Sequence, residues 1–307
     1  PHPLQLDPEQ LESLSVSKGQ EEAKPEQPKE HKSFDKAAYA EKRQQEREAA
    51  YALIETTIEK LPNNGELLQT YLDVQARFDR YSVSNAILIA HQMPDATRVA
   101  DFDTWKDSDV SILKGEKAIT MLEPGQEFTR EDGSTGFSVN VKKVFDISQT
   151  SEAENAQQSK TPDQRKVIKA LIAVSPCDIR MTDELADNVD AMYSDKDNAI
   201  YIRQGLEGDD IFASLSQEIV SAKIGKDAPA GTFVAYCASY ILCERNGFNT
   251  DRYNFDRLPE YFKGQEAKEF RNGLDRVREI ANDVSQDMNR TIEAQEKNKR
   301  SKDDGAR

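Results

Sequence analysis

At 307 residues, 37% hydrophobic and 32% charged, the chain is long enough for two ordinary domains but too polar to be one compact globule throughout. A formal net charge of −15 excludes a protein that coats duplex DNA through a broad basic surface, while leaving room for a local groove of a few cations and stacking aromatics. No run of about 18 apolar residues is present, which excludes a transmembrane helix and, with it, a membrane partner.

Residues 1–33 are polar and proline-rich and predict a disordered arm. Strong helix formers fill 35–61, where Tyr39, Ala50, Leu53, Ile54 and Ile58 make an apolar stripe, and the run Pro62-Asn63-Asn64-Gly65 stops that helix. A second helix is predicted over 66–78, burying Leu68, Tyr71, Leu72 and Val74, and a short helix or tight loop over 84–92. Extended segments follow at 118–122 and 136–147, joined through a turn at 131–133. In the second, Phe137, Val139 and Val141 alternate with Ser138, Asn140 and Lys142, the period of a half-buried strand.

The front domain, 34–150, is thus expected to be α+β. Ser, Gln, Glu and Asn crowd 148–164, so a linker is placed at 151–164. A second domain follows over 165–292: a helix at 165–174, strands near 178–181, 191–193 and 199–203, helices near 209–223 and 232–246, and a last helix over 264–292. Residues 293–307 form a charged tail. Pro1 in place of Met marks a processed chain or a fragment, and no signal segment opens it. Cys177, Cys237 and Cys243 form no CxxC pair and are odd in number, which fits a reduced cytoplasmic setting.

From Tyr81 the chain reads YSVSNAILIAHQMPDATRVADFDTWK, and slightly later LKGEKAITMLEP. Ala86 to Ala90 are a packed apolar segment and Pro94 to Thr97 a turn. Trp105 stands beside Lys106, Lys114-Gly115-Glu116-Lys117 is a basic turn before a strand, and Arg77, Arg80 and Tyr81 add cations and a ring. Two readings fit these residues. Trp105 is either a core anchor beside a solvated turn, or a stacking platform for unpaired bases.

The stretch resembles the N-terminal domain of the ArdC-like antirestriction proteins, including the LtrC-like proteins of conjugative elements. The resemblance rests on Tyr81, Ser82, Asn85, Leu88, Ile89, Gln92, Pro94 to Thr97, Val99, Ala100, Trp105, Lys114 to Lys117 and Ile119, with Val144 to Thr150 as a closing strand. It implies single-stranded DNA as the partner, in antirestriction or conjugation. The nucleic-acid-binding residues are then expected to be Arg77, Arg80, Tyr81, Asn85, Trp105, Lys106, Lys114 and Lys117.

In such proteins the second domain is similar to zinc metallopeptidases, whose His-Glu-x-x-His sets two imidazoles one helical turn apart. Here the resemblance puts Gln217 and Ser221 at the ligand positions, Glu218 at the general-base position and Tyr236 at the third-ligand position. Downstream, Asn249 to Phe255 and Lys263 to Glu266 also look like the family. The only histidines are His2, His31 and His91, none in the rear domain, and amide or hydroxyl groups are poor zinc ligands. No phosphate-binding Gly-rich loop or GxSxG occurs, and Asp101, Asp103, Asp209 and Asp210 read as helix-start residues.

The expected protein is therefore a two-domain α+β binder of single-stranded DNA. Its rear domain is a degenerate, zincin-like pseudoenzyme with a vestigial Glu218, no metal and no cofactor, available to a protein partner. The rival reading is a protein-interaction module that no longer binds DNA, which the net charge favours. An active peptidase would need a metal site of another kind.

Overall fold

In a computed structural model, the structure describes residues 36–130, 132–154, 162–225, 231–256 and 266–305, with side chains as far as Asn298. The arm at 1–33, the middle of the linker at 155–161 and the family match at 263–265 lie outside the described residues. The chain up to Ala40 is one unit, described only where the first helix begins; Glu41–Arg307 is the second and holds everything below.

Helix α1 (Lys36–Lys60) buries Ala50, Ile54, Thr57 and Ile58. It leads through a 3-10 turn, Leu61–Asn63, into α2 (Gly65–Arg77). Asn64 caps α2 by accepting the Leu67 amide at 2.9 Å. Gly65, expected to help stop a helix, instead begins one. A Cβ there would stand 2.8 Å from the Asp256 backbone nitrogen, so only glycine allows this approach. Ser82 caps α3 (Val83–Gln92), which buries Val83 and Asn85 to Ile89.

The front sheet is antiparallel, ordered β1 (Val99–Ala100), β3 (Thr135–Asp146), β2 (Ile119–Thr129). Between β1 and β2 lies a short helix, α4 (Phe102–Asp107), capped by Asp101 through the Thr104 amide at 2.8 Å. The reading of Asp101 as a helix-start residue holds.

β2 presents an edge that α3 closes with side chains rather than backbone. The Asn85 amide donates to Leu122 O at 2.8 Å and accepts Leu122 N at 2.9 Å; Gln92 does the same to Thr120 at 2.9 and 2.8 Å. Two amides seven residues apart on a helix thus match backbone groups two residues apart on a strand. They satisfy an edge that would otherwise be open to pairing.

The hairpin departs from the expected alternation at its outer end. A register shift falls between Pro124 and Glu127, and beyond it Phe137 is 59% exposed rather than buried. The bulge twists the outer rungs off the core.

The closing strand stops at Asp146, earlier than expected, because the chain turns into a 3-10 helix, Ile147–Gln149. Asp146 is buried and accepts four hydrogen bonds: from Thr97 N at 2.7 Å, Arg98 N at 2.8 Å, Ser148 N at 2.9 Å and Ser148 Oγ at 2.7 Å. Gln149 accepts Asp146 N at 2.9 Å and donates to Glu116 Oε2 and Lys117 O, both at 2.9 Å. Three separated pieces of the sequence motif meet here. The polar run 148–164 begins within packed structure: Gln149 and Thr150 are buried, and Thr150 bridges to Ile112.

After α5 (Gln164–Ala173) comes the rear sheet, ordered β4 (Asp178–Thr182), β6 (Ala199–Arg203), β5 (Ala191–Ser194), with β4 parallel and β5 antiparallel to β6. Helices α6 (Gly208–Ile224) and α7 (Gly231–Asn246) follow. The last helix, α8 (Ala267–Gly305), buries Phe270, Leu274, Val277, Ala281, Val284 and Met288, a 4-3-4-3-4 spacing that keeps one seam against the body. It runs past the expected end at 292 through the charged segment, which is rich in helix-forming Glu, Lys, Gln and Ala.

The front and rear elements share one continuous apolar core. Helix α7 buries Phe233 to Ala235 and Cys237 to Cys243, and its far end joins α2. Tyr240 donates to Asp73, and Arg245 donates to Ala76 O at 3.0 Å and Gln75 O at 3.3 Å. Arg271 and Asn282 of α8 reach Ser84 and Asp79 O at 2.8 and 2.9 Å. Among the described residues, no helix is long and apolar enough to cross a membrane.

Asp146→Ala leaves the part-buried amides of Thr97, Arg98 and Ser148 without their acceptor. It should lower unfolding free energy by about 3 kcal/mol in chemical denaturation. A loss under about 0.5 kcal/mol would show that water replaces the side chain.

Candidate functional site

The motif residues line a groove of about 570 Å³ at the start of α3. One wall is the turn between α2 and α3. The fully buried Gln75 builds it by donating to Phe78 O at 2.9 Å and Tyr81 O at 3.3 Å, while the Tyr71 hydroxyl donates to Gln75 Oε1 at 3.2 Å. This fixes Arg80 at the rim and Tyr81 in the wall, with the Tyr81 ring 5.6 Å from that of Phe78. Burial raises the Tyr81 hydroxyl above its ordinary pKa.

Met121, Leu122 and Val144 supply an apolar floor. In the same lining, Lys142 Nζ lies 2.8 Å from Asp101 Oδ2 and 3.5 Å from Glu123 Oε2. The hydrogen bond from Lys142, with those from Thr104, holds the Asp101 carboxyl down to about 2, and Asp101 in turn raises Lys142.

The eight expected DNA-binding residues do not converge on one place. Arg80, Tyr81 and Asn85 line the groove. Lys117 lines a second hollow, of about 530 Å³, with Gln92, Met93 and Gly115. The two hollows sit at opposite ends of the ten-residue α3, about 15 Å apart. Gly115 has φ 94°, which shapes the basic turn and leaves Lys114 and Lys117 exposed. Among the described residues, the side chains of Arg80, Lys106, Lys114 and Lys117 take part in no ion pair.

Three of the eight are structural: Asn85, Arg77 and Trp105. Asn85 spends its amide on β2, as described, and Arg77 donates to Ala96 O at 2.9 Å and to Pro94 O, bracing that turn.

Trp105 requires a correction. Its ring is 1% exposed, its Nε1 donates to Phe145 O at 2.9 Å, and the Arg98 guanidinium covers it at 5.0 Å. No face is left for a base, so Trp105 is a core anchor. Sequence reasoning missed Lys142, Glu123 and the fulcrum Gln75. A polar residue at a core position of the α2 stripe was the available signal for Gln75.

In the rear half, Gln217, Glu218 and Ser221 of α6 line a cleft of about 280 Å³ with Tyr193, Thr232 and Ala235. Tyr236, expected at a third-ligand position, is not in that lining. Its hydroxyl accepts Asn254 N at 2.7 Å and its ring packs 5.1 Å from Tyr253 and 5.6 Å from Phe255. On α7 the positions 232 and 235 face the cleft, and 236 lies one step round the helix. Glu218 Oε2 accepts Tyr193 N at 2.8 Å, yet burial outweighs that bond and raises its pKa. Ser221 turns its hydroxyl back to Gln217 O at 3.0 Å. Among the described residues, no group of three or more His, Cys, Asp or Glu is arranged to hold a metal ion.

Comparison with known proteins places these features. Residues 45–171 match the N-terminal domain of anti-restriction factor ArdC. The fold is similar to crystal structures of the antirestriction protein ArdC from plasmid R388. The metal-free form has 16% identity and a TM-score of 0.50, covering 68% of this chain and 86% of that one. The Mn(II)-bound form has 14% identity and a TM-score of 0.52, covering 78% and 97%. An uncharacterised protein of Bacillus anthracis is 22% identical over 77% of this chain, which spans half the length of that curated relative.

The raised pKa of Glu218 gives a pH signature. The unfolded side chain ionises near the ordinary value of about 4.3, whereas the folded one keeps its proton to higher pH, so stability falls as pH rises between the two. Glu218→Gln should raise the melting temperature at about pH 7.5 and match wild type at about pH 3.5. Equal melting temperatures at both pH values would mean that the carboxyl is hydrated.

Proposed function

We propose that this chain, whose residues 45–171 match the N-terminal domain of anti-restriction factor ArdC, binds single-stranded DNA in an antirestriction or conjugative-transfer pathway. The observation that carries this reading is the groove. There Tyr81, Ser82 and Asn85 of the motif meet an unpaired Arg80 over an apolar floor. Unstacked bases suit such a floor, and a duplex would need a broader cationic surface than a chain of net charge −15 provides. Lys114 and Lys117, at the other end of α3, extend the phosphate path. The domain plan behind this is a DNA-binding front over 34–150, a linker at 151–164 and a rear domain over 165–292.

The rear domain is proposed to be a pseudoenzyme. Its cleft offers an amide, a hydroxyl and one carboxyl already engaged with the backbone of β5, a poor donor set for zinc or another transition metal. The same cleft is where a protein partner would dock if the rival reading, an interaction module, is the right one; the acidity of the chain is the observation in its favour.

Lys114→Glu with Lys117→Glu should weaken single-strand affinity several-fold at low salt and less at high salt, measured by fluorescence anisotropy. Wild type that fails to bind single strands even at low ionic strength would leave the interaction module as the function. Metal analysis of the purified protein should find no stoichiometric zinc. One tightly held zinc per chain would return the peptidase reading.

A further inference from the structure

The groove at the start of α3 differs from a phosphate track in one respect: its charges cancel. Arg80 and Lys142 are balanced by Asp101 and Glu123, and Lys142 is committed to both carboxylates at 2.8 and 3.5 Å. Phosphate would gain little from such a set and would meet two carboxylates. A neutral, flat, partly polar group would gain more, with the apolar floor beneath it and the Tyr81 ring at its side. A cavity of about 570 Å³ has room for one nucleoside.

We infer that this groove takes a single unpaired base and selects one bearing an exocyclic amine. The inference rests on the single-strand reading above and adds base preference to it. In the groove lining Lys142 stands between two carboxylates, so an acceptor, a donor and an acceptor follow in the order Asp101, Lys142, Glu123. Glu123 has its second oxygen unengaged among the described residues, and the Lys142 ammonium has a third proton beyond its two carboxylate partners.

Adenine and cytosine offer an amine beside a ring-nitrogen acceptor, and guanine offers its amine and N1–H to a carboxylate and O6 to the lysine. Thymine has no exocyclic amine. It would set its carbonyl oxygens against the two carboxylates and its N3–H against the ammonium. A paired base has this edge occupied, so the same row also excludes duplex.

The test compares oligo(dC) with oligo(dT) of equal length at neutral pH and fixed salt, for wild type, Glu123→Gln and Asp101→Asn. Glu123→Gln is isosteric and on the surface. Asn retains the N-cap acceptor that Asp101 provides to α4, and circular dichroism checks the fold of both. Wild type should favour oligo(dC) by about fivefold, a preference at the low end for such contacts because the groups are partly exposed. Each variant should reduce that ratio. Equal affinity of wild type for the two strands, or a preference that both variants retain, would overturn the base pocket while leaving single-strand binding intact. Absence of binding to either strand would overturn the single-strand reading and this inference together.

Discussion

Four donors converge on the side chain of Asp146, at a point where no regular element could satisfy them. The amides of Thr97 and Arg98 end the turn after α3. The amide and the hydroxyl of Ser148 lie in the 3-10 helix, and Gln149 carries the network on to the Lys114–Lys117 turn. A buried polar network is costly unless every member is partnered, which makes this one specific: few other arrangements of the same loops would complete it. Thr97, Glu116, Lys117 and Asp146 to Gln149 look dispersed along the chain because they are the separate ends of this one knot.

A second constraint joins the halves. Helix α7 is apolar on nearly every side and so must be surrounded, and α2, α6 and α8 surround it. Arg245, near its end, is the polar exception. Burial lowers its guanidinium to about 10, still charged at neutral pH, and it offers its protons to the carbonyls at the end of α2. The residues that follow those carbonyls are the Phe78–Tyr81 turn, so the rear core braces the wall of the front groove. Stability of the rear half and shape of the front groove are therefore coupled through α2.

The groove itself combines rigidity with electrical neutrality. Gln75 holds the aromatic wall, Asn85 and Gln92 hold the strand edge, and the ion pairs of Lys142 hold the charged lining. Arg80 lines it without an ion-pair partner among the described residues, and the lysines of the basic turn stand at the other end of α3. Those lysines and the charge-balanced groove thus lie at opposite ends of α3, so a locally basic turn survives on a chain of net charge −15.

Much of this was legible in the residues. The helices over α1, α2, α6 and α7, the β2–β3 hairpin and all three rear strands follow from apolar period, caps and turn residues, because those signals act within a few residues of where they are read. The motif also marked the loops that matter. Side-chain destiny was not legible. Trp105 and Lys106 are adjacent in sequence, yet one is sealed under Arg98 and the other is in water, and Tyr236 misses the rear cleft by a single helical step. Lys142 read as the polar member of an alternating strand, and only the fold sets it against Asp101 and Glu123. The sequence by itself determined local conformation and the resemblance of residues 45–171 to the ArdC N-terminal domain. Tertiary structure decided which motif residues are knots, which are anchors and which face the groove, because burial and hydrogen-bond partnership are set by segments that meet from far apart in the chain.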